Sequence, residues 1–155
     1  AKAFAAAMKF PPVGGRSWGP ARAILMSDQP DPDSYLSKAN DQSLAIAMIE
    51  TREALNNLDA ILAVDGIDGI FVGPSDVSVT FTDGEEIRQF GDRTIDVIKE
   101  IAERTIAAGK IPCIFTFLPE QLKLARSMGY RMFALNMDAS IIARGATALL
   151  AEVAE

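Results

Sequence analysis

Two carboxylates occupy positions from which chemistry can be done. Glu50 follows the apolar run Leu44–Ile49, and Asp76 closes the turn Gly73-Pro74-Ser75-Asp76 after the apolar run Gly69–Val72. If both runs are parallel strands, the two side chains stand at neighbouring carboxyl ends, where they can converge on one divalent cation. Magnesium commonly takes one or two carboxylates and completes its octahedron with water and substrate oxygens. Each residue also has a plainer role. Glu50 can favour the dipole of a following helix, and Asp76 can bond its own backbone in a turn. The turn has two readings as well. Its successive backbone N–H groups can bind a carboxylate or enolate oxygen, or its Gly and Pro can simply set the geometry.

The residue inventory narrows the chemistry further. The chain contains no histidine. That removes Ser-His-Asp and Cys-His catalysis, histidine-ligated zinc and the commonest general base. A metal must therefore sit on oxygen ligands, which favours a hard cation such as Mg²⁺ or Mn²⁺. Cys113 is the only cysteine, so there is no internal disulfide and no cysteine zinc site; inside a strand it is a small core residue. Lys38, Lys99, Lys110 and Lys123 fall in helices or loops rather than at carboxyl strand ends, which argues against a Schiff base. Gly14-Gly15-Arg16-Ser17-Trp18-Gly19 lacks the lysine and strand context of a phosphate loop, and a packed loop suits it better than a pocket rim.

These candidates depend on an alternating scaffold. Ala1 to Met8 reads as a helix ended by Pro11 and Pro12, residues 27–34 as a polar loop, and Tyr35–Asp41 as a short helix. Four apolar runs, 44–49, 69–72, 111–115 and 132–135, suit strands buried on both faces. Each is followed by a helical pattern. Leu55, Leu58, Ile61 and Leu62 share one face after Thr51, and a loop separates Gly73-Pro74 from the helix of Ile95, Ile98, Ala102 and Ile106. The last two helices carry Leu122, Ala125 and Met128, then Ile142, Ala146, Leu149 and Val153. Four β/α units predict a parallel sheet. A whole (β/α)₈ barrel needs about 250 residues, so 155 residues fit a small open α/β domain or part of a barrel; an opening inside a helix favours the latter. Thr116, Asn136 and Asp138 mark the remaining strand ends.

Composition sets the class. Hydrophobic residues make up 49% and charged residues 23%, with 15 Lys+Arg against 21 Asp+Glu and a net charge of −6. These are values of an ordinary globular domain. The acidic balance argues against nucleic acid or anionic lipid as a partner, and no run is long enough to span a membrane. The expectation is one cytoplasmic domain over residues 1–155.

Three stretches go beyond pattern. IETREALNNLDAILAVDGIDGIFVGPSDVS (residues 49–78), KFPPVGGRSWGPARA (residues 9–23) and MFALNMDASIIARGATALL (residues 132–150) resemble the HpcH/HpaI aldolase family. These are metal-dependent class II pyruvate aldolases of the 4-hydroxy-2-oxoheptanedioate and 2-dehydro-3-deoxyglucarate aldolase type, related to macrophomate synthase. The resemblance implies a (β/α)₈ barrel of which this chain supplies the second half, in a homo-oligomer, a trimer of dimers in the family. It implies a divalent metal, Mg²⁺ or Mn²⁺ with Co²⁺ as a further candidate, held by Glu50 and Asp76. The backbone N–H groups of Ser75 and Asp76 match the donors to a pyruvyl carboxylate. Met48 stands where many members carry a glutamine that bonds the substrate, and Ser75 where alanine is common. The substrate implied is a small 2-oxo acid of the pyruvate or oxaloacetate type, with an aldehyde as its partner, and the chemistry is making or breaking a C–C bond through an enolate. The family's histidine base and substrate-gripping arginine have no counterpart here, so no catalytic residue is assigned within the chain. A macrophomate synthase-like decarboxylase or C–C bond-forming enzyme, and a catalytically incomplete half-barrel acting as an assembly module, are the alternatives.

Overall fold

In a computed structural model, residues 1–29 and 31–154 are described. The first three helices precede the sheet: α1 (Lys2–Met8), α2 (Ala21–Met26) and α3 (Pro32–Gln42). Four strands then alternate with helices. β1 (Ile46–Ile49) leads to α4 (Arg52–Asn56) and α5 (Leu58–Leu62), and β2 (Gly69–Val72) to α6 (Pro74–Phe81) and α7 (Ile95–Ala107). β3 (Ile111–Thr116) leads to α8 (Pro119–Ser127), and β4 (Met132–Leu135) to α9 (Asp138–Glu152). The strands form one parallel sheet in the order β1-β2-β3-β4. Sequential order with a helical crossover after every strand is the arrangement of a (β/α)₈ barrel, and this chain is four of its eight units, the second half.

Apolar alternation decides which face the helices cover. Ile49, Ile70, Val72 and Ile114 pack against Leu58 and Leu62 of α5, Ile98, Ile101 and Ala102 of α7, and Ala125 of α8. Each such fully buried aliphatic side chain contributes about 1.5–3 kcal/mol. The intervening residues belong to the opposite face, with Met48, Phe71, Cys113 and Met132 in one register row. Met48 and Met132 are exposed there, and burial raises the Cys113 thiol to about 11. α9 has no buried residue and leaves Ile141, Ile142, Leu149 and Leu150 exposed, as is Val153 at its carboxyl-terminal cap.

The segment before the sheet is tied to the amino ends of β1 and β2. Lys9 is buried and pairs with Asp68 at 2.7 Å. Its ammonium also donates to the carbonyls of Asn40, at 2.8 Å, and Ser43. Asp68 in turn accepts the Ala45 N–H at 2.7 Å. Phe10, Tyr35 and Ala39 form a second small core, on which Trp18 packs 5.6 Å from the Phe10 ring. Arg16 lies over that ring at 4.8 Å.

Among the helices, four features differ from the sequence reading. The helix begun at Thr51 breaks at Asn57, which ends α4 and starts α5. α3 starts at Pro32, because Asp31 caps it by accepting the Ser34 N–H at 3.0 Å; of the expected 27–34 loop, residue 30 lies outside the described residues. α2 (Ala21–Met26) falls in a stretch to which the sequence reading assigns no element. Most consequentially, Gly73-Pro74 opens the helix α6. Proline at the first helical position has no N–H to leave unsatisfied, and its fixed φ suits a helix start.

Candidate functional site

Local chain direction brings the two carboxylates together. Thr51, not Glu50, caps α4, its Oγ1 accepting the Ala54 N–H at 3.1 Å. Glu50 is therefore free to turn toward the end of β2, where it lies across Gly73. A Cβ at Gly73 would sit 3.0 Å from Glu50 Cδ and 3.5 Å from Asp76 Oδ2, and closer still to Glu50 Oε1. The missing side chain is the space the Glu50 carboxylate occupies, and both carboxylates face that one point. Gly73 itself has an ordinary extended conformation, with φ −95°, so glycine is required here for room and not for backbone freedom.

Asp76 is the third residue of α6. The first helical bond runs from the Val77 N–H to the Gly73 carbonyl at 3.0 Å. Among the described residues the N–H groups of Ser75 and Asp76 have no protein acceptor, as expected for the first turn of a helix. The alternative of Asp76 as a turn residue bonding its own backbone is not what the structure holds. Ser75 Oγ accepts the Gln89 amide at 2.8 Å.

Electrostatics match the geometry. Burial, and next the nearby charge of Asp76, raise the Glu50 carboxyl above its ordinary value. No cationic side chain pairs with either carboxylate among the described residues. A bound cation would neutralise this repulsion. The carboxylates here are a pair, and no cluster of three His, Cys, Asp or Glu side chains that could hold a metal ion occurs among the described residues. Such a pair suits a hard divalent ion that keeps open positions for water and substrate oxygens.

Glu50, Asp76 and Ser75 line a cavity of about 240 Å³ walled by Met48, Phe71 and Phe115. The sequence candidates Glu50, Asp76, Ser75 and Met48 thus fall in one place. Thr116, Asn136 and Asp138 do not join them: Thr116 is buried, Asn136 and Asp138 bond neighbouring backbone N–H groups, and Asn136 lines a separate cavity with Arg144. Arg16 and Trp18 pack onto Phe10 at the edge of the small core and do not line this cavity. No lysine lines the cavity. Lys9 and Lys110, bonded to Asp68 and to the Ile67 carbonyl, lie at the opposite, amino end of the sheet. A larger groove of about 600 Å³ lies along Ala5, Ala6, Ala60 and Ala63, with Lys2 and Asp65 as its charged lining residues. Gln89 escapes a sequence reading because it lies in the connection between α6 and α7, 14 residues from its partner.

The structure therefore defines half of a (β/α)₈ barrel with a pair of converging carboxylates at the carboxyl ends of its strands. Residues 1–143 match the family model of HpcH/HpaI aldolase/citrate lyase, and the chain belongs to that family, as its carboxyl-terminal portion. It is 33% identical over 152 residues to a hydroxypyruvate/pyruvate aldolase of Rhizorhabdus wittichii, covering 98% of this chain and 59% of that protein. It is 38% identical over 150 residues to a 4-hydroxy-2-oxo-heptane-1,7-dioate aldolase of Salmonella arizonae, covering 94% and 54%. The chain spans about half the length of the curated relatives it matches. Its fold is similar to that of an HpcH/HpaI aldolase from Desulfitobacterium hafniense, with a TM-score of 0.77 at 22% identity over 97% of this chain and 57% of that one. Among the described residues no helix is long and apolar enough to cross a membrane.

Proposed function

We propose that this chain is the metal- and carboxylate-binding half of a class II aldolase or lyase that makes or breaks C–C bonds of 2-oxo acids through a pyruvate enolate. The observation that carries the reading is the convergence of Glu50 and Asp76 over Gly73. Glu50 and Asp76 would hold Mg²⁺ or Mn²⁺, with Co²⁺ as a further candidate. When bound, such a cation acts as a Lewis acid toward the oxygens of the 2-oxo acid. The Ser75 and Asp76 amides bind the substrate carboxylate, aided by the dipole of α6. Met48, Phe71 and Phe115 shield one side of the cavity from water. An aldol substrate must also lose its hydroxyl proton. Glu50 and Asp76 are the titratable side chains of the cavity and would be taken up by the cation; the resemblance to the family implies that a histidine base and an arginine clamp lie in the portion of the relatives' length this chain does not span. The exposed apolar faces of the sheet and of α9 support association with further copies.

The test separates binding from chemistry. Mn²⁺ binding, followed by electron paramagnetic resonance, is expected to fall sharply in Glu50→Gln and Asp76→Asn while both variants stay folded. With Mn²⁺ the chain is expected to decarboxylate oxaloacetate slowly. Retro-aldol cleavage, which needs a base, should run slower by about 10²–10⁴-fold than in a complete aldolase. Mn²⁺ affinity indifferent to both carboxylates would end the reading.

A further inference from the structure

α6 and its carboxyl-terminal cap residue Thr82 carry a ladder of hydroxyls. Ser75, Ser78 and Thr82 are spaced three and four residues apart and share one face. The connection after α6 is laid against them: the Arg88 N–H donates to Ser78 Oγ at 2.8 Å and the Glu86 N–H to Thr82 Oγ1 at 3.3 Å. Two of the three use their own protons inside the protein. Ser78 Oγ donates to the Glu86 carbonyl at 3.1 Å, and Thr82 Oγ1 to the Ser78 carbonyl at 2.7 Å. Ser75 differs. Its oxygen accepts from Gln89 Nε2 at 2.8 Å. An amide nitrogen can only donate, so the Ser75 proton is directed away from Gln89. It has no acceptor among the described residues, and Ser75 lines the cavity that holds Glu50 and Asp76.

We propose that Ser75 is a substrate-contacting residue whose hydroxyl donates to the carboxylate of a bound 2-oxo acid, and that Gln89 is the positioning residue that turns that proton into the cavity. This rests on the 2-oxo acid reading of the site. A carboxylate offers about four lone-pair positions, more than the amides of Ser75 and Asp76 can fill. A hydroxyl donor to an ionised oxygen is stronger than one between neutral groups. Because Gln89 is anchored by a connection that Ser78 and Thr82 hold, the Ser75 hydroxyl is oriented before the ligand arrives, which lowers the ordering cost of binding.

The experiment uses the chain loaded with Mn²⁺ and reads pyruvate affinity from paramagnetic relaxation of the pyruvate methyl protons. Ser75→Ala is expected to weaken pyruvate about tenfold, and Ser75→Thr, which keeps a hydroxyl, to recover most of that loss. Gln89→Glu keeps the shape but replaces the donor with an acceptor that takes the Ser75 proton. It should weaken pyruvate strongly in the native background and much less in the Ser75→Ala background, where only its charge acts. Mn²⁺ affinity without pyruvate, tested with Glu50→Gln and Asp76→Asn, reports separately on the underlying reading. Retained Mn²⁺ binding with pyruvate affinity unchanged in Ser75→Ala overturns the proposal for Ser75. An equal effect of Gln89→Glu in both backgrounds overturns the positioning role of Gln89.

Discussion

Gly73→Ala is the sharpest probe of the site, because its steric and energetic consequences separate. The new methyl would lie 3.0 Å from Glu50 Cδ and inside the contact radius of Oε1, whereas ordinary contact begins at 3.4 Å. The carboxylate must retreat by more than about 1 Å, against a tolerance of roughly 0.2 Å in a metal–ligand distance. Asp76 Oδ2, at 3.5 Å, is barely touched. One of the two proposed ligands is displaced, so Mn²⁺ affinity should fall by at least the roughly 10–100-fold that loss of a supporting residue costs. Stability should hardly move. The clash is with the far end of a flexible side chain, and φ −95° and ψ 96° suit alanine. Reduced freedom of the unfolded chain contributes about 0.4–1 kcal/mol. Alanine's weakness as a helix cap offsets that by a similar amount. The assay is paramagnetic Mn²⁺ titration beside urea unfolding of the same sample. Native Mn²⁺ affinity in a folded Gly73→Ala chain would refute the argument that this glycine makes room for a metal ligand.

Three further outcomes are expected. The raised Glu50 carboxyl favours the folded state when protonated, so the Glu50 contribution to metal-free stability should be full below the ordinary carboxylate range and be lost as pH rises through the raised Glu50 value. Urea midpoints across about pH 4–7 check this; Glu50→Gln should flatten the decline, and saturating Mn²⁺ should reverse it, because the cation binds the deprotonated pair. Met48→Gln, which places a polar group beside Glu50 in the cavity, should tighten pyruvate by about 0.5–1.5 kcal/mol in calorimetric or relaxation titrations. Asp68→Ala strands the buried Lys9 ammonium and should cost about 3–5 kcal/mol of unfolding free energy, while the folded fraction binds Mn²⁺ normally, because the pair lies at the opposite end of the sheet.

Patterning by itself determined the scaffold. The runs at 69–72 and 132–135 coincide with β2 and β4, and the other two strands differ by a residue or two at one end, because a short apolar run bounded by turn residues marks a strand; the expected burial on both faces is not met, since Met48, Met132 and Leu135 are exposed. The amphipathic stripe of α7 was equally legible. So were the two carboxylates, since a residue just past an apolar strand in a parallel sheet lies at the end where such folds do chemistry. Tertiary structure decided the rest. That Gly73-Pro74 starts a helix, freeing the Ser75 and Asp76 amides, depends on a tertiary path that a Gly-Pro pair alone does not distinguish from a turn. That Thr51 takes the cap and releases Glu50 toward Gly73 is a choice between neighbours that propensity does not make. The pairs Lys9–Asp68 and Ser75–Gln89 join residues 59 and 14 positions apart. Local periodicity reports which face of an element is buried, not which distant side chain waits on the other side of the contact.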